Sequence, residues 1–174
     1  EKGESPTGEA AKLTVNGGTL IGYYYGVVTN GNRHDTEIVI NGGMLSGTAK
    51  DDSTSIYHAN KGTLTINGGN LIGDDGLVVK GGTVNIKGGT FTATKPFADP
   101  ESAGTSGAAP PGCALYVEGN YGYAARVTVT DGTFKSVGDA PAVYLKFNDD
   151  PEAKLILKGG TYSSEPDVAY VHSD

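Results

Sequence analysis

One ten-residue pattern recurs six times along this chain, and it limits what the chain can become. Leu13–Gly22 reads LTVNGGTLIG, and later copies read IVINGGMLSG, LTINGGNLIG, VNIKGGTFTA, VTVTDGTFKS and LILKGGTYSS. The second corner position falls at Gly18, Gly43, Gly69, Gly89, Gly132 and Gly160, successively 25, 26, 20, 43 and 28 residues apart. A period of roughly 20–28 residues marks a repeat architecture, in which a lone unit cannot bury its apolar face and stacked units can.

Each unit opens on alternating residues. Leu13/Val15, Ile38/Ile40, Leu64/Ile66, Val84/Ile86, Val127/Val129 and Leu155/Leu157 form the inward set. Period two with β-branched enrichment is a strand signal. The glycine corner follows, because glycine turns with φ > 0 at little steric cost. A second short strand then carries one large apolar residue: Leu20, Leu45, Leu71, Phe91, Phe134 or Tyr162. A third strand closes the unit: GVVT, SIYH, GLVV, ALYV, AVYL or VAYV. Helical periodicity is almost absent.

These features predict an all-β fold: a right-handed parallel β-helix (solenoid) of about six coils, with three short strands per coil. Handedness is taken from the bias of parallel crossovers, not from the pattern. The competing architecture is an antiparallel sandwich or barrel, with Asn-Gly-Gly as a hairpin turn. Residues 1–11 are polar and read as an N-terminal segment or linker; 12–174 read as one domain with a loop insertion at 94–112. That insertion, TKPFADPESAGTSGAAPPG, holds four of the eight prolines and is rich in Ala, Gly and Ser. It reads as a surface excursion, with a binding loop or lid as the alternative.

The chain has 174 residues and 28 glycines that are not in collagen register. Its net charge of -7 repels nucleic acid and anionic membranes, which need clustered Lys and Arg. A single cysteine, Cys113, permits no intramolecular disulfide. The apolar runs are too short for a membrane-spanning helix. With no initiator Met and no signal-peptide pattern, the chain is expected to be an excised piece or a mature form.

The segments LTINGGNLIG, ALYVEG and LILKGGTYSSEPDVAYV resemble the GGTF coils of β-helical, pectate-lyase-like surface proteins of Gram-positive, often gut-type, bacteria. The resemblance spans about Lys12 to Val171. It implies an extracellular location, secreted or cell-wall attached, within a larger modular chain. The function expected from it is a non-catalytic structural or adhesive module that binds carbohydrate or a host ligand. A polysaccharide lyase- or hydrolase-like enzyme and a pure spacer are the rivals.

The tyrosines are the candidate ligand-binding residues. If Val27, Ile56, Leu77, Leu115, Val143 and Ala169 point inward, then Val28, Tyr57, Val78, Tyr116, Tyr144 and Tyr170 point outward. Rungs lie about 4.8 Å apart, so Tyr57, Tyr116, Tyr144 and Tyr170 are expected to form an exposed aromatic ladder able to stack on polysaccharide or host glycan. Plain β-propensity and cross-strand stacking explain the same residues. GYYYG (Tyr23–Tyr25) and NYGY (Tyr121, Tyr123) could widen that surface.

No cofactor is expected. The acidic pairs Asp51/Asp52, Asp74/Asp75 and Asp149/Asp150 raise calcium as a possibility, but none sits in a calcium-loop pattern, and solvated turns are the plainer reading. Catalysis would need a base or two facing carboxylates on one outer face. Arg33, His34, Asp35, Glu37 and Arg126 match no such motif, so no catalytic residue is assigned. His34, His58 and His172 lack zinc spacing, and His58 falls on an inward position. Cys113 reads as a small buried thiol. A threonine column (Thr19, Thr90, Thr133, Thr161) is interrupted at Met44 and Asn70, which argues against an ice-binding face.

Overall fold

The computed structural model describes residues 10–50, 53–98, 111–119, 122–147, 152–165 and 167–173. The described residues are all-β, without helix. The first three units each supply three strands: β1 (Lys12–Val15), β2 (Thr19–Gly22) and β3 (Tyr25–Gly31); β4 (Glu37–Ile40), β5 (Met44–Gly47) and β6 (Thr54–Asn60); β7 (Thr63–Ile66), β8 (Asn70–Gly73) and β9 (Asp75–Val79). In the next two units the first pair fuses through the corner, giving β10 (Gly82–Ala93) with β11 (Leu115–Glu118), then β12 (Ala125–Lys135) with β13 (Val143–Phe147). The last unit supplies β14 (Ala153–Leu157), β15 (Thr161–Ser163) and β16 (Ala169–Ser173).

The strands sort by their place in the repeat. First and second strands share one curled sheet, and third strands form another in the order β16-β13-β11-β9-β6-β3. Every pairing between these strands is parallel, for instance β1 on β4, β4 on β7, β7 on β10, β10 on β12 and β12 on β14. An antiparallel sandwich or barrel is therefore ruled out. Register keeps like with like: Leu13, Ile38, Leu64, Val84, Val127 and Leu155 form one column. A one-residue slip would turn every such side chain outward.

The corner explains the glycines. All six second-corner glycines have positive φ, from 86° at Gly18 to 132° at Gly132. At Gly43 a Cβ would also meet the Gly18 carbonyl oxygen at 2.8 Å, because each corner rests on the one before. The Met44 N–H donates to that same carbonyl, 2.8 Å away. Beside the corners, Asn41 Nδ2 donates to Asn16 Oδ1 at 2.8 Å and Asn67 Nδ2 donates to Asn41 Oδ1 at 2.7 Å. The first asparagine of Asn-Gly-Gly thus stacks as a hydrogen-bonded ladder.

The main core fills the space enclosed by the strands. Its fully buried members include Ile40, Leu45, Ile56, Leu64, Ile66, Leu71, Leu77, Val84 and Ile86. Burying one such side chain contributes about 1.5–3 kcal/mol, most of it offset by the cost of ordering the backbone. The second-strand apolar column becomes aromatic toward the end of the chain. Phe91 stacks on Phe134 at 4.5 Å and Phe134 on Tyr162 at 4.9 Å, with nearly parallel ring planes in both pairs. The ends of the stack are less covered: Leu13 and Leu157 are exposed.

Candidate functional site

The outward column assembles as the alternation predicts. Val28 pairs with Tyr57, Tyr57 with Val78, Val78 with Tyr116, Tyr116 with Tyr144, and Tyr144 with Tyr170. Tyr57, Val78, Tyr116 and Tyr144 belong to a cluster separate from the main core. Ring centroids lie 5.3 Å apart for Tyr116–Tyr144 and 5.0 Å for Tyr144–Tyr170.

The expected exposure is corrected. Tyr57, Tyr116 and Tyr144 are 4%, 1% and 0% exposed, and only Tyr170, at 40%, reaches solvent. The physical reason is a second apolar cluster built over this face. Ala59, Val78 and Cys113 belong to it, with Tyr25 and Phe97 packed against it. Phe97, near the start of the 94–112 segment, sits 6.0 Å from Tyr144 and 6.2 Å from Tyr170, ring to ring. Tyr57, Tyr116 and Tyr144 therefore offer no open platform to a polysaccharide. Residues 99–110 of the insertion lie outside the described residues, as do residues 1–9.

At the end of the column, Tyr170, Phe97, Pro141, Asp139 and Asp167 line a cavity of about 210 Å³. Asp139 is held there by the Phe97 N–H, which donates to Oδ1 at 3.0 Å. An aromatic wall beside two carboxylates can take a polyhydroxylated ligand: the ring covers an apolar face and the carboxylates accept from hydroxyls. A hollow of about 570 Å³ at the other end is lined by Leu13, Val27, Thr29 and Ile38 among others. These are inward residues of the first two units, so it is the mouth of the stack.

The second cluster also encloses charge. Lys80 follows β9 and Glu118 closes β11, both two residues beyond a member of the outward column. Their side chains are 1% and 0% exposed and meet through Lys80 Nζ and Glu118 Oε2. The Tyr116 hydroxyl donates to the same Oε2 at 2.7 Å. Burial lowers the pKa of Lys80, against the pull of Glu118. Burial and Glu118 raise that of Tyr116. The signal for this group was a charged residue at an outward third-strand position, and it was missed because that face was expected to meet water.

Asp75 is a second correction. It was expected in a solvated turn, yet it is fully buried. The Cys113 N–H donates to its Oδ1 at 2.8 Å, while Oδ2 has no partner. Desolvation pushes its pKa well above the usual carboxyl value. Asp74 is tied locally: its Oδ2 accepts from the Ser53 N–H and its own N–H donates to Ser53 Oγ. Asp51/Asp52, Asp149/Asp150 and Tyr121 lie outside the described residues. Among the described residues no three His, Cys, Asp or Glu side chains gather as a metal site.

The other candidates separate. His58 is buried on an inward position, 3.1 Å from Thr29 Oγ1 through Nδ1, and desolvation lowers its pKa to about 4. His172 lies beside Tyr144, with Nδ1 3.3 Å from the hydroxyl. Arg33 grips Asp35 through Nε and Nη2, and this pairing lowers the Asp35 pKa to about 2. Glu37 pairs with Lys12, and Arg126 with Glu152, both on the surface. Cys113 is buried, and desolvation raises its thiol pKa. Tyr23 and Tyr24 are exposed, while Tyr123 lies beneath Lys61 Nζ at 4.6 Å. The threonine column runs through Met44 and Asn70, as its spacing predicts.

Comparison with family models, with curated proteins and with solved structures finds no match to this chain.

Proposed function

We propose that this chain is a right-handed parallel β-helix that serves as a rigid, non-catalytic structural or adhesive module and contacts carbohydrate through the Tyr170 cavity. The observation that carries this reading is the in-register parallel stacking of like positions, unit on unit, which ends in an aromatic, carboxylate-lined cavity. A stack of this kind resists bending, because each rung is bonded to the next along its length. Phe97 and Tyr170 supply flat apolar faces, and Asp139 and Asp167 supply hydroxyl acceptors. The extracellular, wall-attached or secreted placement rests on the resemblance of the repeats to those of Gram-positive surface proteins. Its ligand would be a bacterial or host polysaccharide.

The test is a glycan array followed by polysaccharide pull-down. Binding that falls at least tenfold in Tyr170→Ala and in Asp167→Ala supports the cavity as the contact. Equal binding by both variants removes the cavity from the account. Absence of binding across a broad panel leaves the spacer role in its place. Release of unsaturated or reducing sugar ends from any panel member would overturn the non-catalytic reading.

A further inference from the structure

The second cluster buries a polar group that neither the stacking nor the ligand contact uses. Lys80 Nζ meets Glu118 Oε2, and it also sits 4.8 Å from the centroid of the Tyr116 ring. The Tyr116 hydroxyl donates to that same carboxylate oxygen. The other oxygen, Oε1, is buried with no hydrogen-bond partner. Amine, carboxyl and phenol are thus held together out of water.

As an ion pair this arrangement is poorly compensated. A buried carboxylate needs donors on both oxygens to offset its lost hydration, and here one oxygen has none. Burial also draws Lys80 below its ordinary pKa, toward the free amine that acts as a nucleophile. Transfer of the ammonium proton to Oε1, the oxygen that has no donor, would give a neutral amine facing a neutral acid and leave Oε2, bonded by Tyr116, as the carbonyl oxygen. Two such groups held in contact react as if at very high concentration.

We propose that Lys80 and Glu118 condense into an intramolecular amide. The Nζ lone pair attacks Cδ of the protonated carboxyl group, and a C–N bond forms. The Tyr116 hydroxyl hydrogen-bonds the oxygen that gains charge in the tetrahedral intermediate. One C–O bond then breaks. Its oxygen leaves as water, carrying the carboxyl proton and one amine proton. No oxidant, reductant or cofactor enters the balance. The product removes both buried charges, and its carbonyl oxygen retains the Tyr116 bond. The cross-link joins positions 38 residues apart and brackets the 94–112 segment.

The decisive experiment is the intact mass of the full chain, taken under denaturing conditions and followed by peptide mapping. The expected mass is lower than that of the sequence by one water, with the peptides bearing Lys80 and Glu118 joined. Lys80→Arg and Glu118→Ala are expected to restore the full sequence mass. Glu118→Gln is expected to lose one ammonia and yield the same linked peptide. A wild-type mass equal to the sequence mass overturns the proposal, and that reading does not depend on any variant folding. A loss of water that persists in Lys80→Arg also overturns it, since cyclisation at Asp131-Gly132 or a similar Asp-Gly dipeptide would be its source. So does a link to Lys146, the register partner of Glu118 on β13.

Discussion

The molecule has two buried regions, and they are built differently. The main core is almost wholly apolar and repeats unit by unit, with Leu45, Leu71, Phe91 and Phe134 at the same place on successive rungs. The outer cluster on the third-strand sheet holds Tyr57, Tyr116, Tyr144 and Cys113, with Lys80, Glu118 and Asp75 also buried. Two carboxylate oxygens there, Asp75 Oδ2 and Glu118 Oε1, have no partner. A repeat can supply a core wherever every unit presents the same residue. The outer cluster completes its tyrosine column with residues outside the repeat, Phe97 and Cys113, and it encloses charged side chains as well.

The largest effect should come from equal truncations in the two regions. Phe134→Ala, between two stacked rings, and Tyr144→Ala, fully buried in the outer cluster, are each expected to cost about 3–5 kcal/mol. Urea unfolding followed by far-UV circular dichroism and by tyrosine fluorescence checks both. Should Tyr144→Ala leave the dichroism midpoint unmoved, the outer cluster does not unfold with the main core.

The pH response separates the regions next, because their buried titrating groups have opposite signs. His58, in the main core, has its pKa lowered to about 4 from an ordinary 6.5. The stability it contributes is present above 6.5 and lost as pH falls toward 4. Asp75, in the outer region, has its pKa raised above an ordinary 3.8. Its contribution is present below 3.8 and lost as pH rises through the raised value. Asp75→Asn should therefore stabilise at neutral pH and match the wild type below pH 3.8. His58→Gln should flatten the fall in stability between pH 6.5 and 4. Melting curves across pH that show the same slopes in both variants would remove the distinction.

Smaller effects test the corners and the surface. Gly31 and Gly43 both have positive φ, but a Cβ at Gly31 meets nothing within 4 Å, whereas one at Gly43 meets backbone. Gly31→Ala is expected to cost about 1–2 kcal/mol from φ alone, and Gly43→Ala more, by thermal melting. Glu152→Gln breaks an exposed pair with Arg126 and should change stability by about 1 kcal/mol or less.

The repeating parts of the fold were legible in the sequence because period two and the glycine corner are local signals. The inward columns, the corner at Gly18 and its copies, and the outward placement of Tyr57, Tyr116, Tyr144 and Tyr170 all follow from alternation. Alternation says which way a side chain points, and nothing about what covers it. Cover depends on Phe97 and Cys113, which belong to no repeat, so the burial of the tyrosines was not legible. The same gap hid Lys80 with Glu118 and misread Asp75. The asparagine ladder was within reach, since Asn16, Asn41 and Asn67 precede their glycines at one repeat position. The Tyr170 cavity draws on Asp139 and Asp167, residues of separate turns that no spacing connects.

The bond from the Met44 N–H to the Gly18 carbonyl bears on how such a gene can change length. Because every corner rests on an equivalent corner, deleting residues 19–43 would place Met44 directly after Gly18, at the position Thr19 now holds. Each remaining side chain would keep the face it has. Losing a single codon inside a strand would instead turn the rest of that strand inside out. Viable descendants of this sequence should therefore differ in length by whole units of about 25 residues, and the ladder of corners would set that increment.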